Sequence, residues 1–157
     1  LKSSEIVWRK HPDLKFVFIG PHTNDSRPLF SEVSDPRIIN LGAVDPETKA
    51  SALAACDFLC LPSMQESFGG VYAEAWCFRK PVIGGRIPPI ACVIDEGVNG
   101  LLTSQDPNEI AEAVDVLLSN PSKALEMGEA GWRKAQEKYS WDKLAGATLA
   151  AYGKMLG

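Results

Sequence analysis

Residues 57–78 read DFLCLPSMQESFGGVYAEAWCF, and the order of residue types in this stretch decides the fold. Asp57 to Leu61 (DFLCL) is an apolar run of strand length, a polar loop follows it, and Gly69 and Gly70 open a helix-like segment from Gly70 to Phe78. A strand feeding a helix through a glycine-bearing loop is half of a β-α-β unit. The pattern repeats on both sides. Upstream lie Lys15 to Gly20 (KFVFIG) and Arg37 to Leu41 (RIINL), both rich in aromatic or β-branched residues; downstream lie Pro81 to Ile83 (PVI) and Asn99 to Thr103 (NGLLT). Helix-like stretches separate them at Pro46 to Ala55 and, more briefly, at Pro89 to Asp95. Hairpin signals are missing. Continuous apolar strands joined by helical crossovers predict an α/β layer of Rossmann type, a parallel sheet with helices on both faces.

Beyond the last strand the pattern turns purely helical. Asp106-Pro107-Asn108-Glu109 sets a cap, a first-turn proline and a boxing glutamate in order, and Ile110, Ala113, Val114, Leu117 and Leu118 continue as one apolar stripe. Asn120-Pro121 starts a second helix reaching about Lys138, and Ser140 caps a third with Trp141, Leu144, Leu149 and Tyr152 on its apolar side. The first ten residues, with Ile6, Val7 and Trp8 ahead of His11-Pro12, read as the tail of a helix feeding the first strand. In a doubly wound domain such a helix follows a strand, so a strand upstream of Leu1 is expected, and the chain reads as an excised piece of something longer.

Composition bounds the partners. The chain has 157 residues, 45% hydrophobic and 23% charged, with a formal charge of -4, which describes one domain able to bury a core. The acidic balance argues against nucleic acid or an anionic bilayer, whose binding rests on neutralising many phosphates. The longest stretch free of Asp, Glu, Lys and Arg runs from Leu144 to Gly153, well short of the ~20 apolar residues of a transmembrane helix. Cys56, Cys60, Cys77 and Cys92 sit among apolar neighbours without C-x-x-C spacing, which predicts buried free thiols, a reducing compartment and a cytoplasmic location. The Asn24-Asp25-Ser26 sequon carries little weight without a secretory signal.

In an open parallel sheet the ligand crevice lies beyond the carboxyl ends of the strands, which turns attention to Pro62 to Gly70. The Gly69-Gly70 helix start offers backbone N–H groups to an anion without a side chain in the way. Glu74 is the only charge between Gly69 and Phe78, and helical side chains lean toward the N-terminus, so its carboxylate is expected to point back to the same crevice. An isolated surface glutamate is commonplace. Two carboxylates, Glu66 and Glu74, bracketing a phosphate seat make chemical sense if they accept hydrogen bonds from sugar hydroxyls. Arg86, in the loop Gly84 to Cys92, is a candidate for the donor phosphate or a sugar carboxylate, weighed against a solvated loop arginine. His22 and Gly42 sit where they could border the crevice, His11 reads as a turn residue, and the four tryptophans as core packing. Ser63 and Ser67 lie outside any G-x-S-x-G elbow, so serine hydrolysis is not indicated.

The stretch from Leu61 to Pro81 (LPSMQESFGGVYAEAWCFRKP) resembles the E-x7-E region of the retaining nucleotide-sugar glycosyltransferases, the large group 1 family that includes sucrose synthase and many bacterial lipopolysaccharide transferases. The likeness continues through Gly97-Val98-Asn99-Gly100-Leu101-Leu102, the Asp106-Pro107 helix start and Tyr139-Ser140-Trp141. It implies that residues 1–157 form the C-terminal, donor-binding half of a GT-B fold, without its first strand and without the N-terminal acceptor domain of the same polypeptide. The resemblance assigns Glu74 to the ribose hydroxyls and places Glu66, as the catalytic candidate, with the Phe68, Gly69 and Gly70 backbone toward the donor sugar and diphosphate. Ser67 and Val71 complete the substrate-binding set, to which the position of Arg86 in its loop, and not the resemblance, adds that residue as a candidate.

The implied reaction is transfer of a hexosyl-type sugar from a nucleoside-diphosphate sugar with retained configuration, with no metal and no cofactor; the chain has no D-x-D motif. A helix N-terminus contributes typically ~0.3–1 kcal/mol toward an anion, too little for a departing pyrophosphate, so basic side chains are needed. The family's diphosphate-gripping Arg and Lys follow the strand expected upstream, and Arg9 and Lys10 do not match them. Relatives carry a glutamate near Cys92, so this chain departs from the pattern at the donor sugar. The fragment alone is expected to be inactive. The alternatives are a non-catalytic nucleotide-sugar-binding or interaction domain of the same fold and, behind it, a dinucleotide oxidoreductase, weakened because no G-x-G-x-x-G follows the first strand.

Overall fold

A computed structural model of the chain describes residues 1–156, with side chains described as far as Met155. The elements in order are α1 (Lys2–Val7), β1 (Phe16–Ile19), α2 (Ser26–Ser31), β2 (Ile38–Gly42), α3 (Pro46–Ala55), β3 (Leu59–Leu61), α4 (Gly70–Cys77), β4 (Val82–Gly85), α5 (Pro88–Ala91), β5 (Gly100–Thr103), α6 (Pro107–Ser119), α7 (Pro121–Lys138) and α8 (Trp141–Leu156). All paired strands are parallel, as the crossover pattern predicts. They form two sheets, β1-β2 and β3-β4-β5, where one was expected. No ladder joins β1 to β3, and α3 carries the chain from one sheet to the other.

Helices cover both faces of the larger sheet, because neighbouring residues of a strand point to opposite sides. Val82 and Leu102 join Leu53, Tyr72, Trp76, Ile90 and Ile94 in one core cluster. Ile83 joins Val7, Val114, Leu117 and Met127 in the other, against which Phe16, Phe58, Cys60 and Leu101 pack. The smaller sheet is barer: Val17, Ile19 and Leu41 are exposed.

The helix starts follow their caps. Asp45 accepts from the Thr48 N–H at 2.9 Å and Asp106 from the Asn108 N–H at 2.9 Å, each followed by proline at the first helical position. The expected box at α6 closes two residues earlier: Glu109 accepts from the Ser104 N–H at 2.9 Å, while the Asp106 N–H donates to Ser104 Oγ. Against α4, helix α7 presents glycines. A Cβ on Gly131 would stand 2.1 Å from the Trp76 ring and one on Gly128 2.0 Å from the Arg79 carbonyl oxygen, so only glycine permits this approach.

Several details differ from the expectations. Helix α2, with Pro28 inside it, was not foreseen, and the segment expected to be helical to Asp95 ends at Ala91. The thiols are free but not buried together: Cys56 and Cys60 are half-buried, whereas Cys77 and Cys92 are exposed, because each lies at a helix end that faces outward. His11, expected in a plain turn, places Nε2 2.8 Å from Asp115 of α6. Finally, α8 leaves Trp141, Leu144, Leu149 and Tyr152 exposed, so its apolar side is not part of the core.

Candidate functional site

In the three-stranded sheet, β3, β4 and β5 all end on one edge, and the loops that leave them interlock. The Ser63 backbone packs so tightly on Gly85 that a Cβ there would lie 1.9 Å from the Ser63 carbonyl oxygen. Gln105 Nε2 donates to the Pro62 carbonyl, and the Arg86 N–H to the Thr103 carbonyl at 2.7 Å. The loop from Pro62 to Gly69 therefore rests on a rigid base.

Gly69 caps α4 with φ +69°, in the left-handed region that favours glycine. Any side chain at Gly69 would also run into the Tyr72 ring, 2.4 Å away. Tyr72 is fully buried, and its hydroxyl donates to the Leu61 carbonyl at 2.6 Å, tying the first turn of α4 to the end of β3. Burial, with the Glu66 carboxylate as a second cause, pushes its phenol up to about 12. Glu66 thus lies close enough to Tyr72 to be felt electrostatically, and it is half-buried on the loop.

The start of α4 is unoccupied by the protein's own groups. No side chain caps it, and among the described residues the Gly70 and Val71 N–H groups find no acceptor. Nothing lies within 4 Å of the position a Gly70 Cβ would take. Ser67 and Phe68 are exposed beside this opening, the Phe68 ring edge-on to Tyr139 at 5.2 Å. Glu74 sits one turn beyond Gly70 on the same side of the helix. Its carboxylate meets Lys49 of α3, with Nζ 2.9 Å from Oε1 and 2.8 Å from Oε2. Motif reading missed Lys49; its only sequence signal is its place in a helix that starts beyond the carboxyl end of β2.

The neighbouring edge of the smaller sheet brings His22 over Gly42, whose hypothetical Cβ would be 3.5 Å from His22 Nε2. Arg86 behaves differently from the free cation that the sequence suggested. Its Nη2 donates to the Leu102 carbonyl at 2.6 Å and to Glu109 at 2.7 Å, and Glu96 lies 3.8 Å from Nη1. The Ser104 hydrogen bond first, and Arg86 second, hold the Glu109 carboxyl down at about 2. Arg86 therefore braces the loop after β4 against β5 and α6. Cys92, where a glutamate was expected, is exposed at the end of α5.

Chemically, the arrangement offers two unpaired amides and a carboxylate one turn apart, with a second carboxylate on the preceding loop. An open groove of about 880 Å³ lies elsewhere, between Gly97-Val98 and the start of α7, away from these residues.

Comparison with known proteins places this geometry. Residues 1–120 match the family "Glycosyl transferases group 1". A D-inositol 3-phosphate glycosyltransferase from Corynebacterium kroppenstedtii is 32% identical over 152 residues, covering 90% of this chain and 34% of that protein. The chain spans about a third of the length of the curated relatives it matches. Among solved structures, sucrose-phosphate synthase from Thermosynechococcus elongatus superposes with TM-score 0.87 at 23% identity, over 99% of this chain and 42% of that one. The Anabaena protein HepE, solved with UDP-glucose, gives TM-score 0.80 at 20% identity, over 95% and 44%. At these identities the solved structures speak to the fold, which is the GT-B type.

Proposed function

The chain belongs to the group 1 glycosyl transferases, and from that membership we propose that it is the donor-binding part of a retaining enzyme that takes a hexosyl-type sugar from a nucleoside-diphosphate sugar. The observation that carries this reading is the start of α4, where the free Gly70 and Val71 amides adjoin the Glu74 carboxylate. The amides receive the diphosphate, Glu74 accepts from the ribose hydroxyls, and Glu66, with the backbone from Ser67 to Val71, faces the donor sugar. The UDP-glucose bound to the Anabaena protein of the same fold supports the choice of ligand class. Arg86 would reach the donor only by leaving Glu109 and Leu102, so it is not a free cation for the leaving group. The acceptor is bound by a second domain of the same polypeptide, and residues 1–157 alone transfer nothing. The free thiols accord with work in the cytoplasm.

The direct test is thermal denaturation of this chain with UDP-, GDP- and ADP-sugars. A ligand at 100 times its Kd adds ~2.7 kcal/mol to the native state, which in a domain of this size raises Tm by roughly 5–11 °C. One base class is expected to do so. No shift from any of the three at millimolar concentration would refute the donor reading.

The split sheet fits the same proposal. A parallel strand lying between β1 and β3 would join the two sheets and pair the open edge of each. In a longer chain from the same gene, amides on the open edges of β1 and β3 are expected to exchange at least tenfold more slowly than in residues 1–157. Equal exchange in both chains would exclude that strand. The exposed Cys92 favours a second reading, a domain that binds the donor without turnover; a longer chain that binds a nucleotide sugar yet neither transfers nor hydrolyses it would favour that reading.

A further inference from the structure

Glu74 has a companion that the donor-binding motif does not include. Lys49 places its ammonium astride the carboxylate, in a hydrogen bond to Oε1 and 2.8 Å from Oε2. The side chains are 42% and 44% exposed, so the pair contributes little to folding. Nor is Lys49 needed to anchor α3, which has its own Asp45 cap and buries Leu53. What sets the pair apart is Oε2. That oxygen is closed off from solvent and makes no hydrogen bond of acceptable geometry, although the ammonium stands 2.8 Å away. One acceptor of the carboxylate is thus held beside the ammonium without a satisfied hydrogen bond, and an incoming donor reaches it as Lys49 moves aside.

We propose that Lys49 is a positioning residue for nucleotide binding: it holds the Glu74 carboxylate in one orientation and yields part of its contact when the ribose hydroxyls donate to it. The inference rests on the reading that Glu74 receives the ribose. A glutamate free to rotate must be immobilised as the ligand arrives, and a tether made beforehand removes that cost. The ammonium also offsets the repulsion between Glu74 and the nearby diphosphate. Its flexible, half-exposed stem lets it swing aside without leaving a buried charge.

A double-mutant cycle separates this role from its rivals. Calorimetric titration of the wild-type chain with UDP, GDP and ADP identifies the nucleotide that binds best. With it, Lys49→Met is expected to weaken binding about three- to tenfold, with Tm unchanged, and Lys49→Arg to restore it to within about twofold. In a Glu74→Gln background, Lys49→Met is expected to change Kd by less than about twofold, because the residue acts through the carboxylate. Equal losses in both backgrounds would mean that Lys49 touches the nucleotide itself, and no loss in either would mean that it only decorates the surface; each overturns the inference and leaves the donor reading standing. Failure of the wild-type chain to bind any of the three removes the donor reading, and the inference falls with it.

Discussion

Trp76→Ala is expected to cost about 3–5 kcal/mol of folding stability, the range for deleting a buried indole. The ring is fully buried between α4 and α7, stacks on Tyr139 at 6.5 Å and donates from Nε1 to the Asn99 carbonyl at 3.0 Å. Gly131 lies so close to it that neither helix can move in to fill the void without breaking other contacts. The Asn99 carbonyl would lose its donor at the same time, although water entering the cavity would recover part of that loss. In a domain whose whole stability is of the order of 5–15 kcal/mol, Tm should fall by roughly 6–20 °C. Trp76→Phe keeps most of the volume and the Tyr139 stack and should lose about half as much. A Tm within two degrees of wild type for the alanine variant, by calorimetry, would mean that α4 is not clamped as described. Because α4 carries Gly70 and Glu74, nucleotide binding is expected to weaken before the fold is lost.

How far such features can be read from sequence depends on whether they are local. The strands were legible because a buried parallel strand is a continuous apolar run, and α3 was legible to the residue, Pro46–Ala55, because Asp45-Pro46 both caps and starts it. The Gly69-Gly70 helix start was legible too, although the left-handed backbone of Gly69 was not, because an N-cap is ordinarily extended. Helix α2 was not, since its six residues include Pro28 and bury nothing fully. The partners of the candidate site were beyond reach as well. Arg86 meets Glu109 across 23 positions and Lys49 meets Glu74 across 25, and neither spacing has a periodic signature. A loop arginine beside glycines reads as available until its partner is seen. The exposure of α8 and the division of the sheet are likewise tertiary facts, because an apolar stripe says which face wants cover and not whether cover is present.

Glu74→Ala is expected to remove most of the stabilisation that a nucleotide sugar gives the wild-type chain. Hydrogen bonds from hydroxyls to a carboxylate are worth ~1.5–3 kcal/mol each, so losing both contacts to a ribose diol should raise Kd by about 150-fold or more. Folding should hardly change, because the side chain is 44% exposed and its partner Lys49 can turn to solvent. That contrast is what makes the variant informative: a core residue would lower Tm without ligand, whereas a ribose acceptor lowers only the increment that ligand adds. Glu74→Gln retains one carbonyl acceptor and should fall between. The diphosphate still reaches the Gly70 and Val71 amides in both variants, so inorganic pyrophosphate should bind them at least as well as it binds wild type, the repelling carboxylate being gone. If the nucleotide sugar raises Tm as much in the alanine variant as in wild type, Glu74 lies outside the site and the ribose must be held elsewhere, with the His22 and Gly42 edge of the smaller sheet the next place to look.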